Sequence, residues 1–193
     1  GYQDIITGDP FNLTNNVDAG AAFIFLGGQN MSGVPYISLY GTASQDYFGY
    51  SVSSAGDVNS DGFDDVIVGA PYNDDNGLGA GAAYLYFGGT NMNNTPDVIM
   101  FGEFPNDQFG SSVSGGGNNN VDQFDDVLVG SPYYSVNFNN AGRVYLFSGG
   151  SSMDGNPDMI FDCPPSVTIQ CAFGFTMESS GDVNGDSYSD ILI

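Results

Sequence analysis

The sequence predicts an all-β chain built from β-propeller blades of four antiparallel strands, about three blades of a larger propeller. Three observations predict it: a long internal repeat, short apolar stretches inside each copy, and Gly/Asn/Asp/Pro clusters between them. The repeat is clearest at Gly1-Tyr2-Gln3-Asp4-Ile5-Ile6, Gly62-Phe63-Asp64-Asp65-Val66-Ile67, Gln123-Phe124-Asp125-Asp126-Val127-Leu128 and Ser187-Tyr188-Ser189-Asp190-Ile191-Leu192. The starting positions, 1, 62, 123 and 187, are almost evenly spaced. Phe48-Gly49, Phe109-Gly110 and Phe173-Gly174 each precede a copy at the same distance, and Gly69-Ala70-Pro71, Gly130-Ser131-Pro132 and Gly8-Asp9-Pro10 follow in register. Later in each period, Gly-Gly pairs at 27–28, 88–89 and 149–150 close an aromatic and aliphatic run.

Within one period the predicted strands are Tyr50 to Ala55, Asp65 to Gly69, Ala82 to Phe87 and about Val98 to Phe101. They are β-branched or aromatic, and none reaches the roughly 10–12 residues a helix needs. Four strands per period make a propeller blade or, as the alternative, a step of a β-solenoid. The predicted segments are 1–47 (a blade lacking its first strand), 48–108 and 109–172 (complete blades) and 173–193 (the start of the next). Three, four, four and two strands fall short of the four to eight blades that close a ring. The expectation is that further blades come from a longer parent chain or from self-association. The absence of an initiating Met and of a signal peptide points the same way, to a mature or partial chain.

Composition limits the partners. The chain carries 23 acidic residues against one base, Arg143, with no Lys or His, for a net charge of -22. It cannot neutralise phosphates, which excludes nucleic acid, and an anionic membrane repels it. Hydrophobic residues make up 41% and aromatic residues 14%, enough to build a core. Most of the Tyr and Phe are expected inside it at strand spacing. No apolar run approaches the length of a membrane-spanning helix. Bound cations are the natural counterpart to this excess of carboxylate.

A cation site is written between the first and second strands of each period. In Asp57-Val58-Asn59-Ser60-Asp61-Gly62-Phe63-Asp64-Asp65, side-chain oxygens stand at positions 1, 3, 5 and 9, with Gly at 6. The candidate ligands are Asp57, Asn59, Asp61, the Phe63 carbonyl and Asp65. A hard cation takes six to eight oxygens, and calcium fits this spacing better than magnesium, whose octahedral shell is stricter. Asp182, Asn184, Asp186, the Tyr188 carbonyl and Asp190 repeat the set, with Ser187 replacing Gly. Asn118, Asn120, Asp122, the Phe124 carbonyl and Asp126 form a weaker copy with two carboxylates and Gln123 at position 6. An Asp/Asn-rich turn without metal is the plain alternative.

Phe-Gly, a D-x-N-x-D-G-x-x-D loop and Gly-Ala-Pro at this period resemble the FG-GAP repeat, the family that includes integrin α-subunits. The resemblance implies a seven-bladed β-propeller with calcium bracing the loops of one face, and a protein or other ligand meeting the opposite face. It implies an extracellular or cell-surface setting. The departures are Asn118, Gln123 and Ser187 in the loops, and Ser131 and Asp9 in the Gly-Ala-Pro motif.

The remaining features are smaller. Cys163 and Cys171 flank Pro164-Pro165 and are expected to pair, a sign of an oxidising compartment. Sequons at Asn12, Asn30 and Asn93 are candidate glycosylation sites. No catalytic set is expected. Without His, neither a Ser-His-Asp nor a Cys-His site can form. Asp64-Asp65 and Asp125-Asp126 are adjacent on strands and face opposite ways, and Asp74-Asp75 reads as a solvated turn. The functional expectation is a structural, adhesive or protein-interaction module, with a carbohydrate-binding propeller as the alternative.

Overall fold

The computed structural model of the chain describes residues 2–14, 17–135, 140–164 and 171–193. Fifteen strands are present among them, all antiparallel to their sheet neighbours. The first sheet joins β1 (Ile5–Asp9), β4 (Ala21–Phe25) and β5 (Ile37–Tyr40) in that order. The second is β6 (Ser51–Gly56), β7 (Asp65–Ala70), β8 (Ala82–Tyr86) and β9 (Val98–Phe101). The third repeats it with β10 (Ser112–Gly117), β11 (Asp126–Ser131), β12 (Arg143–Phe147) and β13 (Met159–Asp162). The last pairs β14 (Glu178–Gly181) with β15 (Asp190–Leu192).

Each sheet is a separate meander, as a propeller blade requires and a solenoid step does not. The strand positions match the sequence expectation to within a residue. One element is additional. β2 (Leu13–Thr14) and β3 (Val17–Asp18) form a small hairpin between β1 and β4, too short for the repeat pattern to announce.

The sheets pack face to face through the aromatic of the Phe-Gly pair. Phe109 is 1% exposed and meets the rings of Tyr145 and Phe147 edge-on, with centroids 5.2 and 6.2 Å away. Its cluster also holds Ile67, Leu85 and Met100 of the second sheet and Val127 and Val129 of the third. Phe48 does the same one interface earlier, against Tyr84 and Tyr86 and beside Ala22 and Leu39 of the first sheet. Full burial of a Phe side chain is worth about 1.5–3 kcal/mol, so one such ring per interface is a major part of the adhesion between sheets.

The Gly that follows each Phe is a contact point. Gly110 N–H donates to the Gly130 carbonyl at 3.0 Å, and a Cβ on Gly69 would run into the Gly110 carbonyl. Backbone meets backbone across the interface, which accounts for glycine in both the Phe-Gly and Gly-Ala-Pro motifs. Ser51 and Ser112 hydroxyls add bonds of 2.8 and 2.6 Å to the Gly110 and Gly174 carbonyls of the following repeat.

The expectation that most aromatic residues lie in the core needs correction. Phe11, Phe63, Phe104, Phe175 and Tyr50 are exposed, because they sit on loops beyond the strand ends. Strand alternation governs only residues inside strands.

Candidate metal loops and the opposite face

The Asp57–Asp65 loop follows a β-bulge at the end of β6, where the register shifts between Ser54 and Gly56. The bulge turns the chain out of the ladder and starts the loop. Asp57 then organises it. One carboxylate oxygen accepts the N–H of Asp61 at 3.0 Å and the other that of Gly62 at 2.9 Å. Asn59 Oδ1 accepts from Asp61 N–H at 2.9 Å, and Asp61 Oδ1 from Phe63 N–H at 3.0 Å. Gly62 adopts φ +90°, a conformation open to Gly at little cost.

Asp65 lies behind the loop, fully buried. Its two oxygens accept Val58 N–H at 2.9 Å and Gly88 N–H at 2.7 Å. This explains the Gly-Gly pair, whose first member must come close enough to donate. Asp126 makes the equivalent bonds to Asn119 and Gly149 N–H, both at 3.0 Å. Asp4 reaches Gly27 N–H in the first copy. Burial pushes the Asp65 carboxyl up to about 6; its two N–H donors oppose the shift, and the Asp61 and Asp57 charges add to it. Burial also raises Asp126. Each carboxylate oxygen that accepts one N–H keeps a second lone pair for a cation. Their neighbours behave differently: Asp64 is exposed and Asp65 buried, so the pair splits across the strand as alternation requires.

The fourth loop copies the second. Asp182 accepts Asp186 N–H at 3.0 Å and Ser187 N–H at 2.8 Å, Asn184 Oδ1 accepts from Asp186, and Asp190 accepts Val183 N–H at 2.7 Å. Ser187 tolerates φ +76° in place of Gly. The N–H donors around the exposed Asp182 hold its carboxyl below the usual range, the Ser187 bond foremost.

The third loop differs where its sequence does. Asn118 has one oxygen, which accepts Asp122 N–H at 3.1 Å, and its amide turns to the Asp122 carbonyl at 2.5 Å. Gln123 is absent from the described residues with positive φ, and no bond from its N–H matches those of Gly62 and Ser187. One closing bond is therefore missing. Val121, at position 4, takes φ +56°, as Ser60 and Gly185 do at 58° and 81°. This position-4 requirement was invisible in the sequence because three unlike residues meet it.

Among the described residues, no group of three or more Asp, Glu, His or Cys side chains is gathered so that it could hold a metal by itself. Each loop offers a mixed donor set instead: carboxylate, Asn amide oxygen and a main-chain carbonyl. That set is all oxygen, which suits a hard cation and not zinc or copper.

At the other ends of the strands lies an aromatic row. Phe11 follows β1, Tyr72 follows β7, and Tyr47 precedes β6, with successive centroids 5.3 and 5.0 Å apart. Further along, Arg143 lies 3.8 Å over the Tyr134 ring and pairs with Glu103 at 3.3 Å and Asp162 at 2.6 Å. The sole base of the chain is thus committed to the contact between the second and third sheets. Asp74 and Asp75 lie in the loop after β7, where Asp74 accepts Gly79 N–H at 2.6 Å, the turn role expected.

The FG-GAP repeat family model matches residues 48–86, the Phe-Gly pair through β8. The chain is built of FG-GAP repeats. It is 32% identical over 173 residues to integrin alpha-5 of Xenopus laevis, covering 84% of this chain and 16% of that protein. It is 35% identical over 164 residues to integrin alpha-7 of Homo sapiens, covering 83% and 13%. Against integrin alpha-8 of Mus musculus it is 28% identical over 205 residues, covering 99% and 18%. The chain thus spans less than a fifth of the length of these curated relatives. With its four-stranded antiparallel sheets, this FG-GAP chain is part of an integrin alpha-like β-propeller.

The remaining predicted positions fall as follows. Cys163 and Cys171 form a disulfide, as expected, with Cα atoms 6.5 Å apart; residues 165–170 between them lie outside the described residues. Of the sequon residues, Asn30 and Asn93 are exposed. Asn12 is half-buried and donates to Asp9 at 2.9 Å. No helix among the described residues is long and apolar enough to cross a membrane.

Proposed function

We propose that this chain is a calcium-stabilised, extracellular segment of a β-propeller that serves as an adhesive or protein-interaction module. The blades run 1–47, 48–108, 109–172 and from 173 onward. Calcium is held by Asp57, Asn59, Asp61, the Phe63 carbonyl and Asp65, and by Asp182, Asn184, Asp186, the Tyr188 carbonyl and Asp190. Asn118, Asn120, Asp122, the Phe124 carbonyl and Asp126 form a weaker site. The observation that carries this reading is the recurrence of one hydrogen-bonded loop with an all-oxygen donor set, degraded only where the sequence loses a carboxylate. The cation would offset the acidic charge gathered on one edge of the sheets, and its binding would add to folding stability by linkage.

The face that meets partners is the opposite one. The Phe11–Tyr47–Tyr72 row supports this: Phe11 and Tyr72 are exposed on either side of the half-buried Tyr47, and aromatic side chains offer contact area at low entropic cost. The same row is what a carbohydrate-binding propeller would use. A glycan array beside a pull-down with cell-surface proteins separates the two readings, and calcium titration by calorimetry tests the metal assignment. Lacking His, the chain has no means of building the hydrolytic triads, and we assign it no catalysis.

A further inference from the structure

Neighbouring metal loops touch, and they do so through one repeated position. Asp125 is position 8 of the third loop, between Phe124 and Asp126. Its Oδ2 accepts the N–H of Asp57, position 1 of the second loop, at 2.9 Å. Its own N–H donates back to the Asp57 carbonyl at 3.1 Å. Gly150, beside the Gly149 that Asp126 holds, donates to the Val58 carbonyl at 2.8 Å. The register recurs one sheet further on. Ser189, position 8 of the fourth loop, donates its N–H to the Asn118 carbonyl at 3.1 Å, and the Asn119 amide donates to the Ser189 carbonyl at 2.5 Å. Close approach is built in: a Cβ on Gly56 would collide with the Asp125 carboxylate.

Asp57 is therefore held from two sides. Its side chain collects the N–H groups of its own loop, and its main chain is clamped by the next repeat. Asp125 in turn is flanked by the two residues that close the third loop around its donor set. An ion that fixes Phe124 and Asp126 also fixes Asp125, and through it the backbone from which the Asp57 carboxylate projects.

We propose that Asp125 is a positioning residue coupling adjacent metal loops, so that calcium in the Asn118–Asp126 loop tightens calcium binding in the Asp57–Asp65 loop. By linkage the second loop strengthens the third by the same factor. This rests on the calcium reading. Coupling of the third loop to the fourth is weaker, because Ser189 carries no carboxylate and the side-chain clamp is missing.

The test uses the full chain and calcium alone. Binding at the second loop is followed by the amide resonance of Gly62, whose N–H reports on Asp57, with calorimetry giving the total. Asp122→Ala disables the third loop. It is expected to weaken the Gly62 titration about fivefold, the lower end of usual coupling factors. Asp125→Ser, which installs the residue the fourth loop already carries and leaves only the main-chain bonds, should reduce that dependence well below fivefold. Asp125→Asn keeps an oxygen for the Asp57 N–H and should retain most of it, which a role through charge alone would not. The proposal is overturned if Asp122→Ala leaves the Gly62 titration unchanged, or if its effect is equal in the Asp125→Ser background. Two calcium ions bound without linkage would sink the coupling and leave the calcium reading standing. No calcium at either loop would sink both.

Discussion

Asn118→Asp is the most informative single change in the third loop. In the second loop each oxygen of Asp57 accepts one loop N–H, from Asp61 and from Gly62. Asn118 offers one oxygen and spends its amide on the Asp122 carbonyl. A carboxylate there restores a charge-assisted bond, worth roughly 1.5 kcal/mol at the low end of its range, and adds a third negative ligand. That free energy corresponds to about a tenfold gain in calcium affinity. Gln123→Gly, added to it, lets position 6 take the φ that Gly62 adopts and should tighten binding further. Calorimetric titration of the single and double variants reads both steps. An affinity unchanged within twofold in the double variant would refute the claim that ligand charge and loop closure set the ranking of the sites.

Other perturbations have equally definite outcomes. Asp61→Ala should remove one calcium site and lower the melting temperature more in calcium than in chelator, because the ion binds only the folded chain; equal losses in both buffers would count against it. Phe109→Ala should cost about 3–5 kcal/mol in urea unfolding, since the ring is the 1%-exposed centre of the interface between the second and third sheets. Replacing Cys163 and Cys171 by Ser should cost about 2.5 kcal/mol by releasing a short closed loop. Burial raises the Asp107 carboxyl to about 6, while the Phe104 N–H opposes the shift. The folded state then holds this proton more tightly than the unfolded chain. Its stabilising effect is complete below the unfolded value near 3.8 and is lost as pH rises through 6. In chelator, Asp107→Asn should flatten that part of the stability profile relative to the parent chain; identical slopes from pH 4.5 to 7.5 would contradict it.

The fold was readable because its information is local and repeated. Val66-Ile67-Val68 and Tyr84-Leu85-Tyr86 are strand-forming runs in any context, and a second copy one period later removes the ambiguity of short apolar stretches. The β2/β3 hairpin escaped because it occurs in one copy only. In the loops, the donor spacing could be read directly, and the weakness of the Asn118 copy followed from counting carboxylates. The latch made by Asp65 with Gly88 was not, since it joins residues 23 apart whose relation depends on β7 pairing with β8. The Asp57–Asp125 clamp lay further out of reach, at a separation of 68 residues across two sheets. The expectation that most rings lie in the core was too broad, because strand periodicity says nothing about loop residues such as the exposed Phe11 and Phe104.

Calcium titration of the intact chain by calorimetry, with thermal unfolding in calcium and in chelator, bears most directly on the proposed function. Two tighter ions, lost with Asp61→Ala and Asp186→Ala respectively, one weaker ion lost with Asp122→Ala, and a melting temperature raised by calcium but little by magnesium are the expected result. No heat of binding, with the same melting temperature in calcium and chelator, would show that these loops are hydrogen-bonded turns and not metal sites.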